Sequence, residues 1–112
     1  MTLVDNLRDR QLGFESARVE SLRELHDALR DAEREDLSRE EFGGLFSLAM
    51  KVLELDQELA ARMLKASRPT ISRWIAGVSA PHPLARPTVF REFRKVAAER
   101  LRQHESSALV SA

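Results

Sequence analysis

Apolar residues recur at intervals of three and four along most of the 112-residue chain, and no stretch alternates polar with apolar residues long enough to form a convincing strand. Alanine, leucine, glutamate and arginine dominate, and β-branched residues are sparse, which favours helix formation. We therefore expect an all-α fold of about five helices. A chain of this length corresponds to one small domain with room for an additional arm.

The first periodic segment runs from about Glu15 to Glu35 and predicts an amphipathic helix, because charged residues occupy every face except one. Four apolar residues, three or four positions apart, form that face: Leu22, Leu25, Leu29 and Ala32. Two heptads are too few to indicate a coiled coil. We assign residues 1–36 to an N-terminal helical arm, which either packs on its own domain or pairs with a second chain.

A second helix is predicted to begin near Arg39. Ser38 and Glu41 have the spacing of a capping box, in which a hydroxyl and a carboxylate satisfy exposed backbone amides at a helix start. Gly43 and Gly44 follow, and each costs about 1 kcal/mol relative to alanine in a helix interior. Close packing against another backbone would explain both glycines.

Two short helices are predicted in the middle of the chain. The first covers residues 57–64 and has Asp56 as a suitable N-cap. A short break follows, and then a second helix whose N-cap is either Ser67 or Arg68. Pro69 stands in its first turn, where the amide that proline lacks would have no partner.

Gly77 is placed to end the second short helix in a left-handed conformation. The segment 78–87 contains three prolines and predicts a rigid surface loop. From Thr88 the helical period resumes in a long final helix. We expect residues 105–112 to form a flexible tail.

The formal net charge is zero, but the charges are unevenly distributed. Residues 1–56 contain eight Lys or Arg and fourteen Asp or Glu, whereas residues 57–103 contain ten and three. A basic half indicates a polyanionic partner. The alternative is that the two halves neutralise each other within one fold.

Several classes of function are not supported by the sequence. The absence of cysteine excludes disulfides, thiolate metal sites and cysteine nucleophiles. The charged N-terminus does not resemble a signal peptide, and we expect a cytoplasmic protein with no membrane span. The three histidines are too scattered to show metal-ligand spacing. No nucleophile–base pair or phosphate loop is visible, so we predict no enzyme, metal, cofactor or small-molecule ligand.

The segment QELAARMLKASRPTISRWIAG, residues 57–77, resembles the helix-turn-helix of the phage-repressor and Cro-like (XRE) family of DNA-binding proteins. In this resemblance Ala61 lies where the two helices touch, and Ile71 and Trp74 point inward. Lys65 departs from the family pattern because many relatives carry glycine there, and Ala76 replaces a residue that is often polar. The wider resemblance implies a lambda-repressor-like domain, which we place at residues 37–104.

The resemblance also implies which residues meet double-stranded DNA. Five outward residues of the second helix would face the major groove: Arg68, Pro69, Thr70, Ser72 and Arg73. The two arginines are the strongest candidates, because one guanidinium can bond O6 and N7 of guanine at once. Four residues are expected to contact phosphates: Gln57, Ser79, His82 and Arg86. Weaker phosphate candidates are Arg62, Lys65, Arg91, Arg94 and Lys95.

These observations predict a sequence-specific DNA-binding transcriptional regulator that binds a palindromic site as a homodimer. A helical protein–protein adaptor or antitoxin-like inhibitor is the alternative, since a fold does not determine a function. Arg68 and Arg73 beside a basic second half favour DNA, because an adaptor needs neither.

Overall fold

The computed structural model describes the backbone of residues 3–111 and the side chains of residues 17–106. This part of the chain is all-helical and contains no strand, which confirms the predicted all-α class. Five helices follow one another: α1 (Leu3–Ala32), α2 (Arg39–Val52), α3 (Gln57–Leu64), α4 (Arg68–Ile75) and α5 (Arg86–Ser111).

The starts of α2 and α3 are fixed by the side chains that the sequence indicated. Ser38 Oγ accepts a hydrogen bond from the Glu41 amide at 3.1 Å, and Glu41 Oε1 accepts one from the Ser38 amide at 3.1 Å. The hydrogen bond that the Glu41 carboxylate accepts from the Ser38 amide is the main cause that lowers the pKa of Glu41 below its ordinary value of 4.5. Asp56 caps α3, since its carboxylate accepts from the Leu59 amide at 2.7 Å.

The three middle helices also end alike. Each is followed by a residue with left-handed backbone: Glu54 (φ 53°), Lys65 (φ 54°) and Gly77 (φ 74°). The amide after each of these residues bonds to the carbonyl five positions back, at 2.9–3.0 Å, as in a Schellman motif. Many members of the family that residues 57–77 resemble carry glycine at the position of Lys65. The left-handed conformation of Lys65 costs about 1–2 kcal/mol relative to glycine.

The outer helices differ from the prediction at their ends. Helix α1 begins at Leu3, well before Glu15, and α5 begins at Arg86, two residues before Thr88. Pro87 is the second residue of α5, where its missing amide costs no intrahelical bond. The predicted tail, 105–112, has helical backbone as far as Ser111, and its flexibility stays a prediction.

Helix α1 packs mainly along α5. The four apolar residues of its predicted face are all buried in the common core: Leu22, Leu25, Leu29 and Ala32. The described part of the N-terminal arm therefore packs on its own domain, which was one of the two predicted alternatives. The side chains of residues 1–16 lie outside the described part of the chain, and pairing of this segment with a second chain stays a prediction.

An aromatic cluster on α2 joins the short helices to α5. The ring of Trp74 meets Phe42 and Phe46 edge-on, at centroid distances of 5.9 and 5.6 Å. On the other side Phe42 lies 5.2 Å from Phe90, and Phe46 lies 5.2 Å from Phe93. The core therefore connects α4 to α5 through α2, and Trp74 is a packing residue, as predicted, whose ring is not exposed for stacking on bases.

Candidate nucleic-acid interface

Helix α2 fixes the C-terminal end of α4. A Cβ atom on Gly43 would lie 3.2 Å from the Trp74 carbonyl oxygen and 3.4 Å from Gly77 Cα, so the two backbones approach as closely as glycine allows. Ser47 Oγ donates a hydrogen bond to the Ile75 carbonyl at 3.1 Å. Close packing thus explains Gly43 as predicted, but not Gly44, which faces open space.

The inner side of α4 is held by apolar contacts. Ile71 is fully buried and Trp74 is 9% exposed. Ala61 on α3 is also buried, and α3 contacts α4 directly, as two crossing helices require a small side chain where they touch. These contacts bury one face of α4 and leave the opposite face to solvent.

The residues predicted to read bases are brought together on or beside that solvent face. Arg68, Pro69, Ser72 and Arg73 are exposed, and Thr70 is half-buried. Ser67, not Arg68, is the N-cap of α4, because Ser67 Oγ accepts from the Thr70 amide at 3.2 Å. The Thr70 hydroxyl also lies 2.7 Å from Ser67 Oγ, so this hydroxyl takes part in the cap.

The two arginines of α4 are not paired with carboxylates. Arg73 Nε donates to the Pro69 carbonyl one turn earlier, at 3.3 Å. The Arg68 guanidinium has no hydrogen bond or ion pair with any residue from 17 to 106. No acidic residue occurs in the sequence between Glu58 and Glu92, which explains why the chain offers no local partner.

The same holds for the two basic residues that precede α4. Arg62 and Lys65 are exposed, and neither forms an ion pair within the described side chains. We refer to Arg62, Lys65, Arg68 and Arg73 as the helix-pair cations. With Glu58 as the one acid in residues 57–77, they leave α3 and α4 with a net positive charge, which attracts polyanions.

The start of α3 is less favourable for phosphate than the sequence suggested. Gln57 is the first residue of α3 and is half-buried. The Asp56 carboxylate already accepts from the Leu59 amide, and Glu58 adds a second acid to the first turn. Both negative charges oppose an anion at these backbone amides. The Gln57 side chain stays a predicted phosphate ligand.

The loop after α4 carries two further phosphate candidates. Ser79 is half-buried and His82 is exposed. His82 Nδ1 accepts from the Leu84 amide at 3.2 Å. In the neutral ring this leaves Nε2 as the N–H group, which is available to donate to an external acceptor.

Arg86 has an internal role that the sequence did not reveal. Its Nε donates to the Pro81 carbonyl at 2.9 Å, and its Nη1 donates to the Leu37 carbonyl at 2.7 Å. The guanidinium therefore joins the loop before α5 to the loop between α1 and α2. Two of its five donors are directed inward, which weakens its candidacy as a phosphate ligand.

The weaker candidates on α5 are engaged in ion pairs. Arg91 and Arg94 both meet Glu33 beyond the end of α1, with shortest nitrogen–oxygen distances of 3.7 and 3.1 Å. Lys95 Nζ lies 3.1 Å from Glu92 Oε1. These three cations thus share two carboxylates within the fold, whereas the helix-pair cations have no carboxylate partner in the described part of the chain.

Within residues 17–106, no three His, Asp or Glu side chains come together as metal ligands would. No helix in the described part of the chain is both long and apolar enough to cross a bilayer. No family model, curated protein or solved structure matches the chain.

Proposed function

We propose that this protein is a sequence-specific DNA-binding transcriptional regulator of the cytoplasm, with a lambda-repressor-like helix-turn-helix formed by α3 and α4. One observation carries the proposal. Ile71 and Trp74 hold α4 by its inner face, while Arg68 and Arg73 on the same helix are exposed without a carboxylate partner in the described residues. A helix presented in this way suits the major groove.

Energetics favour a binding role for these arginines. An exposed arginine contributes little to folding, so the stability of the fold does not require two of them on α4. A bidentate contact from arginine to guanine gives about 1–3 kcal/mol of discrimination against other bases. The neighbouring Ser72 can bond a base edge or a phosphate, and the Thr70 methyl group can contact thymine.

Phosphate contacts would fix the position of α4 on the duplex. Arg62 and Lys65 lie at the end of α3, and Ser79 and His82 lie in the loop that follows α4. Contacts from both sides of the helix would set its register without reading sequence. Gln57 would add a contact from the start of α3.

We further propose that the protein binds as a homodimer. An eight-residue helix covers only a few base pairs. Helix-turn-helix proteins gain specificity by spanning two half-sites about 34 Å apart, and their operators are palindromic as a result.

Selection of bound sites from random duplex DNA tests the proposal. We expect a palindromic motif to be enriched. Arg73→Ala should weaken binding to the selected site roughly 5- to 150-fold, which corresponds to about 1–3 kcal/mol, and relax the preference at one base pair per half-site. Arg23→Ala is the matched control, because Arg23 is an exposed arginine of α1 without an ion pair in the described region. Failure to enrich any motif would favour a protein–protein adaptor.

The salt dependence gives a second, independent test. If several helix-pair cations contact phosphates, affinity should fall by one or more decades between about 50 and 200 mM salt. Lys65→Ala should lower the slope of log K against log salt by about one, with little change in sequence preference. Binding that is insensitive to salt would contradict the electrostatic part of the proposal.

A further inference from the structure

A cavity of about 320 Å³ opens between α1, the turn from α2 to α3, and the end of α5. Its volume falls at the lower end of the range of small-molecule sites. Its apolar lining residues are Val52 and Leu22, of which Leu22 is only 2% exposed. The polar lining includes three side chains that can carry positive charge and one carboxylate: Arg18, Arg100, His104 and Glu54.

Two arginines from different helices hold the α2–α3 turn at this cavity. Arg18 Nη2 on α1 lies 2.6 Å from Glu54 Oε2. Arg100 Nη1 on α5 donates to the Leu53 carbonyl, at the C-cap of α2. The turn that leads into α3 is therefore fixed by groups that also bind carboxylates and phosphates in proteins.

Glu54 is an unusual residue at this position. Its φ of 53° lies in the left-handed region, which glycine adopts more easily. The Arg18 and Glu54 side chains are 54% and 66% exposed, and an ion pair so open to water stabilises a fold little. Little free energy is therefore needed to separate the Glu54 carboxylate from Arg18. Strained residues of this kind concentrate at ligand sites.

We infer that this cavity binds a small anion, with its carboxylate or phosphate group on Arg18 and Arg100. On binding, the carboxylate or phosphate of the ligand would replace the Glu54 carboxylate on Arg18. Because α3 begins three residues after Glu54, the exchange alters the restraint on the helix pair. An effect of the anion on DNA affinity rests on the proposed function, whereas the binding itself does not.

Titration followed by NMR tests the site directly. The full chain is titrated separately with inorganic phosphate and with succinate, while sodium chloride keeps the ionic strength constant. We expect saturable shifts of the Glu54 and Leu55 amides and of the Arg18 Nε–H, with a midpoint at or below about 10 mM. Comparison of the two probes shows whether the site prefers phosphate or carboxylate. Linear, non-saturating shifts with both would overturn the inference.

Three variants assign the shifts to the proposed groups. Arg18→Gln should weaken binding at least tenfold, since it removes a charge-assisted contact. Glu54→Gln should strengthen binding about two- to fivefold, because it removes a competing carboxylate whose pairing is of that magnitude. Arg23→Gln, on the exposed surface of the same helix, is the control and should bind as the parent does. Equal binding by Arg18→Gln and the control would refute the site.

A last measurement separates this inference from the DNA-binding proposal. DNA affinity is measured with and without saturating anion, for the parent chain and for Arg18→Gln. We expect the anion to change the affinity of the parent only. A protein that binds no DNA would still show the NMR shifts, so each proposal can fail without the other.

Discussion

The helix pair α3–α4 and the frame formed by α1 and α5 use their basic residues in opposite ways. On the frame, Arg91 and Arg94 meet Glu33, and Lys95 meets Glu92. On the helix pair, the four helix-pair cations have no carboxylate partner among residues 17–106. The net charge of zero is therefore unevenly divided: residues 57–77, which form the helix pair, carry four cations and one acid, a net charge of +3, and the rest of the chain carries −3.

The sequence left two interpretations of its charge pattern, a polyanionic partner or neutralisation within the fold, and each applies to a different region. The basic half of the sequence contains both α5 and the helix pair. For α5, the acid at the end of α1 supplies the neutralising partner, as expected if two halves balance within one fold. For the helix pair, no such partner is present in the described part of the chain, and a polyanion remains the proposed one.

The largest expected effect tests whether the two regions fold as one unit. The Phe46 ring contacts Trp74 of the helix pair and Phe93 of the frame. Phe46→Ala should lower the free energy of unfolding by about 3–5 kcal/mol, because it leaves a cavity in the shared core. Trp74, the single tryptophan, reports on α4 by fluorescence, and circular dichroism reports on all helices. Denaturation curves from the two probes should coincide, and separate transitions would show that the regions fold independently.

The next prediction compares two arginine substitutions with opposite expected effects. Arg94→Ala should lower the free energy of unfolding by about 1–3 kcal/mol, because Glu33, with a side chain only 13% exposed, loses its close partner. The same substitution should leave DNA affinity nearly unchanged. Arg73→Ala should do the reverse, with stability retained and DNA affinity lost. Urea denaturation and DNA titration of both variants measure this contrast, which fails if either substitution affects both properties equally.

Local signals in the sequence were sufficient for the short helices but not for the frame. The caps Ser38, Asp56 and Ser67 each accept from an amide three residues away. The sequence predicts the first two caps, and for the third it leaves Ser67 and Arg68 as alternatives. Arg86 and Arg94 instead bond to residues 49 and 61 positions away. Such partners depend on how α1 packs along α5, which no local pattern specifies.

The candidate site divides in the same way. The exposed positions of α4 follow from its helical period together with the resemblance. The occupied donors of Arg86 and the cavity beside Glu54 do not, because both require three segments to meet. Gly44 shows a further limit of the sequence. It directly follows Gly43 in the same helix, but only Gly43 lies against another backbone.

A smaller effect is expected from substitutions at the C-terminal ends of α3 and α4. Gly77 and Lys65 share the left-handed conformation, but only glycine adopts it without strain. Gly77→Ala should destabilise the fold by about 1–2 kcal/mol, and Lys65→Gly should stabilise it by about 0.5–1 kcal/mol. Thermal unfolding measures both. Lys65→Ala is the control, because it removes the charge but keeps the strained backbone. If Lys65→Ala stabilised the fold as much as Lys65→Gly does, this account would be contradicted.

The smallest expected effect is a pH dependence at the start of α2. The pKa of Glu41 is lower in the folded protein than in the unfolded chain, so its contribution to stability is present above the ordinary value of 4.5. That contribution is lost as the pH falls through the folded pKa. The stability difference between the parent and Glu41→Gln should therefore shrink on acidification below about pH 4.5. Urea denaturation at several pH values checks this, with Glu40→Gln as the control, and a constant difference would argue against the cap.

Because Gly43 contacts the end of α4, the size of the side chain at this position of α2 limits where α4 can lie. An added methyl group there would press on the Trp74 carbonyl and on Gly77, and the neighbouring backbone would have to yield by a few tenths of an ångström. The tilt of α4 can thus be adjusted from behind, by a residue that no nucleic acid would touch. If α4 enters a DNA groove as proposed, a substitution at Gly43 would alter target preference without any change in the exposed arginines.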